Sequence, residues 1–203
     1  MIRAGVALLL LGAALAARAH PDDPPLAHTG GFGEPHCGAC HFGALPGGAP
    51  VVALDVSDTV HAGAWIDVYV RILHPALRLA GFELSARTVA PCEGCQAGRF
   101  RVGEGIRLQL HEGVEYVDGV SSAARWSMRW CAPADPGEVV WSLAINAADG
   151  DQSPLGDSAV TLERHVRVVA GAVLPSSATC ADGRESANTE RSPRLSVPGT
   201  EER

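Results

Sequence analysis

The chain has 203 residues, a formal net charge of −7 at pH 7 and 46% hydrophobic residues. This length suffices for one domain of ordinary size with further segments at its ends. The acidic balance argues against a nucleic-acid partner, because binding to phosphates requires a basic surface.

The first segment has the pattern of an export signal. Arg3 provides a positive start, an apolar run follows over 4–16, and Ala17-Arg18-Ala19 is a small-x-small cleavage site. The apolar run is shorter than the roughly 20 residues that a membrane-spanning helix needs. We therefore predict that residues 1–19 are a removed signal peptide. The mature chain is expected to be periplasmic or secreted, without a transmembrane anchor.

The next segment, residues 20–50, is so rich in glycine and proline that no helix of ordinary length can form in it. It contains the run Cys37-Gly38-Ala39-Cys40-His41. Two thiols at this spacing can each add to a vinyl group of one haem, and the histidine can then bind its iron. C-x-x-C-H is thus the attachment signature of c-type haem. We predict an irregular arm, on a loop or a single helical turn, with Cys37 and Cys40 bonded to haem c and His41 as the proximal iron ligand.

Two alternatives to haem attachment remain open for this motif. In an exported protein, C-x-x-C can form a structural disulfide beside an incidental histidine. A zinc site could instead use His36, Cys37, Cys40 and His41. Four ligands this close in sequence, however, rarely complete a tetrahedron without a distant pair.

After the arm, apolar and polar residues alternate with the two-residue period of strands that bury one face. About seven short strands are expected in a domain spanning 51–173, and amphipathic helical spacing is absent over any useful length. This count and spacing predict an all-β fold, an antiparallel β-sandwich. The runs that indicate strands are 51–56, 66–72, 82–85, 106–111, 124–130, 139–145 and 160–168.

The four remaining cysteines are expected to form disulfides in an exported chain, and the sequence alone allows three pairings. Cys92 and Cys95 form a second C-x-x-C without a following histidine, so we predict a local disulfide and no second haem. Cys131 ends a predicted strand and Cys180 lies in a polar tail, which a bridge between them would pin. Residues 174–203 are otherwise predicted to be disordered.

The sequence leaves the second axial ligand of the iron undecided. His61, His74 and His111 lie in or beside the predicted sandwich, where they could face the arm. Met128 shares a strand face with Trp126 and Trp130, which favours core packing over ligation.

An acidic cluster near the last strand offers oxygen atoms suited to calcium. It comprises Asp149, Asp151 and Asp157, and its spacing fits no EF-hand loop. A solvated acidic turn is the favoured interpretation.

The segment from Thr29 to His41 resembles the T-G-x-P-G-E-x-x-C-x-x-C-H opening of a group of exported bacterial proteins. In that group the opening precedes a sandwich similar to the N-terminal domain of reelin, the reeler-like "choice-of-anchor" type. Weaker likeness continues in 81–86, 126–133 and 144–157. The resemblance implies a reeler-like antiparallel β-sandwich preceded by a haem-binding arm.

One departure from the family pattern concerns the iron. The family has a His-Thr pair before the tryptophan-rich segment, and the corresponding stretch here is Tyr116-Val117-Asp118-Gly119. If that histidine is the distal ligand in the family, this chain must ligate the iron differently or leave one position open.

The leading hypothesis for function is an exported monohaem c-type cytochrome-like protein that transfers electrons to and from redox partner proteins of the cell envelope. One alternative is an extracellular adhesion or carbohydrate-binding β-sandwich module with structural disulfides and no haem. Another is a haem enzyme or gas sensor with an open axial position. A carrier or binding protein is favoured over an enzyme.

Overall fold

The computed structural model describes residues 24–171 and Cys180. The predicted signal peptide and most of the predicted disordered tail lie outside these residues. Ten strands follow an irregular arm, which spans residues 24–50 of the described chain and whose single 3-10 turn is Cys37–Ala39. The strands are β1 (Val51–Asp55), β2 (Thr59–His61), β3 (Trp65–Leu73), β4 (Leu79–Thr88), β5 (Arg99–Val102), β6 (Arg107–His111), β7 (Val114–Ser121), β8 (Arg125–Cys131), β9 (Gly137–Ala148) and β10 (Ser158–Val169).

The strands form two sheets, one in the order β1-β3-β8-β5 and the other in the order β2-β10-β9-β4-β7-β6. All neighbours pair antiparallel except β2 and β10, which are parallel. The all-β prediction is confirmed, but the expected count of about seven strands was too low. β2 and β5 are too short to show alternation. β7 was not predicted because two of its buried positions are occupied by Asp118 and Gly119, which interrupt the apolar pattern of a strand.

The core lies between the two sheets and is built on aromatic and β-branched side chains. The rings of Trp130 and Trp141 meet edge to face with centroids 4.9 Å apart. The indole N–H of Trp130 donates to the carbonyl of Ala97 at 3.0 Å, which satisfies a polar group that would otherwise be costly to bury. Met128 is only 3% exposed and belongs to this core, as its shared face with Trp126 indicated.

The arm lies across the outer face of the six-stranded sheet. Glu83 and Ser85 alternate with the core residues Phe82 and Leu84 along β4, yet both are buried. Glu83 accepts backbone N–H groups from the arm, and the backbone N–H of Leu45 donates to Ser158 on β10 at 2.8 Å. The outer face of this sheet is therefore covered by protein where the arm crosses it.

The edge strand β6 departs from the expected burial. Its alternating leucines, Leu108 and Leu110, are 40% and 72% exposed. β6 is the last strand of the six-stranded sheet, and the facing sheet has only four strands. The alternation of apolar and polar residues thus predicted β6 correctly. The apolar face of β6, however, extends past the edge of the four-stranded sheet.

Both expected disulfides are present. Cys92–Cys95 and Cys131–Cys180 have Cα separations of 5.6 and 5.9 Å, within the usual range of about 4.4–6.8 Å. Such bonds are typical of chains that fold in an oxidising compartment outside the cytoplasm. No helix among residues 24–171 has the length and hydrophobicity needed to cross a membrane.

Candidate functional site

A cleft of about 430 Å³ lies between the arm and the outer face of the six-stranded sheet. Its volume falls in the range of roughly 300–1,000 Å³ that is usual for cofactor and small-molecule sites. The sheet provides a mostly apolar floor and the arm provides one wall. Floor residues are Leu79, Ala80, Gly81, Phe82, Glu83, Gly119, Val120, Asn146 and Ala148, and arm residues are Pro24, Pro25, His28, His36, Cys37, Cys40 and His41.

All three residues of the predicted attachment motif line this cleft. The backbone N–H groups of Cys40 and His41 both donate to the carbonyl of Cys37, at 3.2 and 2.9 Å. His36 caps the turn, because its Nδ1 accepts the N–H of Gly38 at 3.0 Å. The motif therefore occupies a single helical turn, as predicted, and the turn brings both thiols and the imidazole to one cavity.

The thiols of Cys37 and Cys40 are free, in contrast to the other four cysteines. Burial, followed by the nearby charge of Glu83, raises the pKa of Cys37 to about 12. A thiol with this pKa stays protonated at neutral pH, and the thiolate is the nucleophilic form. This environment does not suit the dithiol redox chemistry of an ordinary C-x-x-C.

His41 is oriented by a buried carboxylate. Its Nδ1 lies 2.6 Å from Oδ2 of Asp157, a residue only 1% exposed that directly precedes β10. The carboxylate oxygen accepts this hydrogen bond from Nδ1, so in the neutral ring Nε2 keeps its lone pair. A carboxylate on the far nitrogen is the usual partner of a metal-binding histidine, because it sets both the tautomer and the ring orientation.

Asn146 on β9 completes this support. Its Nδ2 donates to the same Oδ2 of Asp157 at 3.1 Å. Nδ2 of Asn146 also lies 3.0 Å from Nδ1 of His41. Both atoms are donors in this tautomer, so the contact between them is not a hydrogen bond. Asn146 is the one amide side chain of β9 and the one polar residue in its apolar run 143–148, which was the sequence signal for this site.

The acidic cluster that suggested calcium is divided by the fold. Asp157 turns toward His41, whereas Asp149 and Asp151 accept backbone N–H groups within their own loop, at 3.1 and 2.7 Å. Among residues 24–171 and Cys180, no group of three or more His, Cys, Asp or Glu side chains converges to hold a bare metal ion.

The three histidines suggested as second axial ligands do not line the cleft. His61 ends β2 on the surface, with Nδ1 3.3 Å from the carbonyl of Ala170. His74 bonds Gly48 through Nε2 at 3.0 Å, and the ring of His111 packs against Tyr116. The cleft instead contains two arm histidines, His28 and His36.

Gly81 lies in the floor, within β4. A β-carbon there would make only ordinary contacts, the nearest with Val120 at 3.5 Å, and the backbone is not in the left-handed region. Neither backbone conformation nor crowding therefore requires glycine at this position. Glycine weakens a strand and often marks a place where a ligand approaches closely, and the space above Gly81 opens into the cleft.

The arm is held on the sheet by a buried polar network centred on Glu34. Its carboxylate accepts from Arg87 on β4, from the hydroxyl of Tyr116 on β7, and from Thr29 at 2.5 Å. Burial acts to raise the pKa of Glu34, but hydrogen bonds from Thr29, Tyr116 and Arg87 outweigh it, so the pKa lies below its usual value. Thr29 and Glu34 belong to the segment that carries the family resemblance, and their role here is to dock the arm.

Replacing Arg87 with methionine should release the arm. Arg87 and Glu34 are 6% and 11% exposed, and loss of one partner of a buried pair costs about 3–5 kcal/mol because the other charge stays uncompensated. We expect faster proteolysis within residues 24–50 and a lower free energy of unfolding. Arg71→Met is the matched control, since its exposed pair with Asp55 contributes at most about 1 kcal/mol. Equal effects of the two variants would contradict this anchoring.

The same network makes stability depend on pH with a defined sign. The pKa of Glu34 is lowered in the folded state, so its contribution is complete above the unfolded value, 4.5, and is lost as the pH falls through the folded value. Chemical denaturation of the wild type should show this acid-side loss. The loss of stability on the acid side should be smaller in Arg87→Met, because Arg87 is one of the groups that lower the pKa of Glu34.

Fold and site together define a two-sheet β-sandwich whose N-terminal arm encloses a cleft lined by a C-x-x-C-H turn. Among solved structures, the chain is similar to the human F-spondin reeler domain (fragment 1), at 17% identity and a TM-score of 0.42. The match covers 64% of this chain and 93% of that chain. No protein-family profile matches the sequence, and no curated protein is significantly similar to it.

Proposed function

We propose that this chain is an exported monohaem c-type cytochrome-like protein, periplasmic or secreted, that exchanges electrons with redox partners of the cell envelope. The observation that carries the proposal is the free Cys37 and Cys40 pair in one cleft with His41, whose Nε2 is available. Bound haem c supplies one-electron chemistry at its iron. The protein's part is to attach, ligate and shield it.

The donor set fits this cofactor. Two unpaired thiols on one turn suit the two vinyl additions, and the neighbouring imidazole suits axial ligation. The floor beneath is largely apolar, with Leu79 and Val120, which favours a flat hydrophobic ring. The carboxyl group in the floor of the cleft belongs to Glu83. Burial raises its pKa to about 7, although hydrogen bonds from the backbone N–H groups of His28 and Ala27 act to lower it.

The direct test is to express the full-length chain with a c-type cytochrome maturation system and to determine the intact mass of the exported protein. We expect the added mass of one haem, with both thiols of the motif consumed. A pyridine haemochrome spectrum of the two-thioether type should accompany it. Exported protein with unmodified mass and no Soret band would remove the proposal and favour the adhesion-module alternative.

Asp157→Asn should raise the reduction potential of the haem protein. The carboxylate bonded to Nδ1 makes His41 a stronger electron donor, which stabilises the ferric state. Losing such a support typically weakens metal ligation about 10–100-fold, and a weakening of this size in the ferric state alone corresponds to a rise of roughly 60–120 mV for a one-electron couple. Spectroelectrochemical titration measures this shift.

Asp149→Asn is the matched control for this measurement. Asp149 belongs to the same acidic loop but bonds only the backbone of Asp151 and not His41. A potential that stays within about 20 mV of wild type is expected, well below the 59 mV that corresponds to a tenfold change. Identical shifts in both variants would attribute the effect to net charge and contradict a specific role of Asp157.

A further inference from the structure

We infer that His28 is the second axial ligand of the iron, opposite His41. The inference deepens the proposed function and rests on it.

The hydrogen bond of the His28 ring leaves Nε2 free. Its Nδ1 lies 2.9 Å from the carbonyl oxygen of Leu26. A carbonyl only accepts, so Nδ1 carries the proton and Nε2 has an unshared pair. No described residue hydrogen-bonds to that Nε2. His41 has the same pattern, with Asp157 in place of the carbonyl. In its neutral form each ring therefore has the tautomer that can bind a metal through Nε2.

The backbone at His28 is fixed from both sides. The N–H groups of Ala27 and His28 donate to the two carboxylate oxygens of Glu83 at 2.9 and 2.8 Å. Ala27 has a φ of 61°, in the left-handed region that an alanine rarely adopts. The following residue, Thr29, is buried and bonded to Glu34. A conformation held this way directs the half-buried His28 ring toward the cleft that it lines.

His36, the other arm histidine in the cleft, has the opposite tautomer. Its Nδ1 accepts the backbone N–H of Gly38, so in the neutral ring the proton is on Nε2, which then has no free pair. Its side chain is exposed and is used in capping the turn. Binding iron through His36 would require breaking this cap.

The remaining described candidates lie elsewhere. His61, His74 and His111 are not at the cleft, and the thioether of Met128 is enclosed in the core. His165 is on the surface between Glu138 and Glu163. Among residues 24–171, only His28 and His41 combine a place in the cleft with a free Nε2.

The test uses the haem protein made with a c-type maturation system. We expect the wild-type ferric protein to be six-coordinate and low-spin, with the near-infrared magnetic circular dichroism band of two histidine ligands. His28→Ala should become high-spin, should bind carbon monoxide in its ferrous form, and should return to low-spin when imidazole is added. The backbone bonds to Glu83 do not involve the replaced ring, so the arm should stay docked.

The matched controls are His74→Ala and His61→Ala, two histidines outside the cleft. Both should keep the low-spin spectrum. The inference is overturned if His28→Ala stays low-spin, if either control becomes high-spin, or if the wild-type band indicates another ligand pair. Each of these results leaves covalent haem in place, so it is distinct from failure of the proposed function, which would show as absence of haem.

Discussion

Replacing both Cys37 and Cys40 with alanine is expected to abolish covalent haem attachment without unfolding the sandwich. Neither thiol takes part in a disulfide or in the hydrophobic core. The arm is docked by Glu34 and by Glu83, whose contacts the substitutions do not touch. Intact mass should fall to that of the unmodified chain, haem staining on denaturing gels should disappear, and the far-ultraviolet circular dichroism should remain that of a β protein.

The single variants make this prediction sharper. Cys37→Ala and Cys40→Ala each leave one thioether, so each should shift the pyridine haemochrome band from the two-thioether position toward longer wavelength. Cys92 and Cys95 provide the matched control, since they form a C-x-x-C of the same spacing without a histidine and are joined to each other. Cys92→Ala with Cys95→Ala should retain haem. Covalent haem on the variant that lacks both Cys37 and Cys40 would contradict the assignment.

The strands of the sandwich could be predicted from the sequence where one face of a strand is buried and the other is exposed to solvent. Val68 and Val70 are inaccessible, whereas Asp67 and Tyr69, which alternate with them, are exposed. The burial of Glu83 could not be predicted, because it depends on an arm 55 residues earlier in the chain that crosses the sheet. Local periodicity contains no information about such coverage.

The site shows the same division between local and long-range information. The C-x-x-C-H turn could be predicted because all its chemistry lies within five consecutive residues. The support of His41 comes from Asp157, 116 positions later, which was predicted to belong to a solvated acidic turn. Three other histidines, His61, His74 and His111, were suggested as ligands because they lie in or beside the predicted sandwich, where they could face the arm. The structure instead folds the arm back over β4, so that His28 and His41 line one cleft.

Coverage of the sheet also explains why polar residues concentrate on its outer face. Arg87, Tyr116 and Glu83 would be unremarkable on a solvated strand. Here they are the groups that bind the arm, through Glu34 and through the backbone of Ala27 and His28. Their network fixes the arm at one end of the cleft, and Asp157 with Asn146 fixes His41 at the other. The cleft therefore lies between the two groups of hydrogen bonds that attach the arm to the sheet.

Gly81→Leu should fill that cleft and displace the haem while the protein stays folded. Glycine costs a strand about 0.5–1 kcal/mol relative to alanine, and a β-carbon at Gly81 meets nothing closer than 3.5 Å. The apoprotein should therefore unfold at the same or slightly higher denaturant concentration. In the haem protein, covalent attachment should persist, but the low-spin spectrum should be lost, because the leucine side chain occupies the floor between the arm and Val120.

Gly137→Leu is the matched control for this effect. Gly137 is also a strand glycine outside the left-handed region, it has no atom within 4 Å of an added β-carbon, and it lies away from the cleft at the start of β9. Its haem spectrum should equal that of the wild type. If Gly81→Leu also kept the wild-type spectrum and carbon monoxide reactivity, the haem would have to lie outside this cleft. A loss of spectrum together with a large loss of apoprotein stability would instead identify Gly81 as a residue needed for packing.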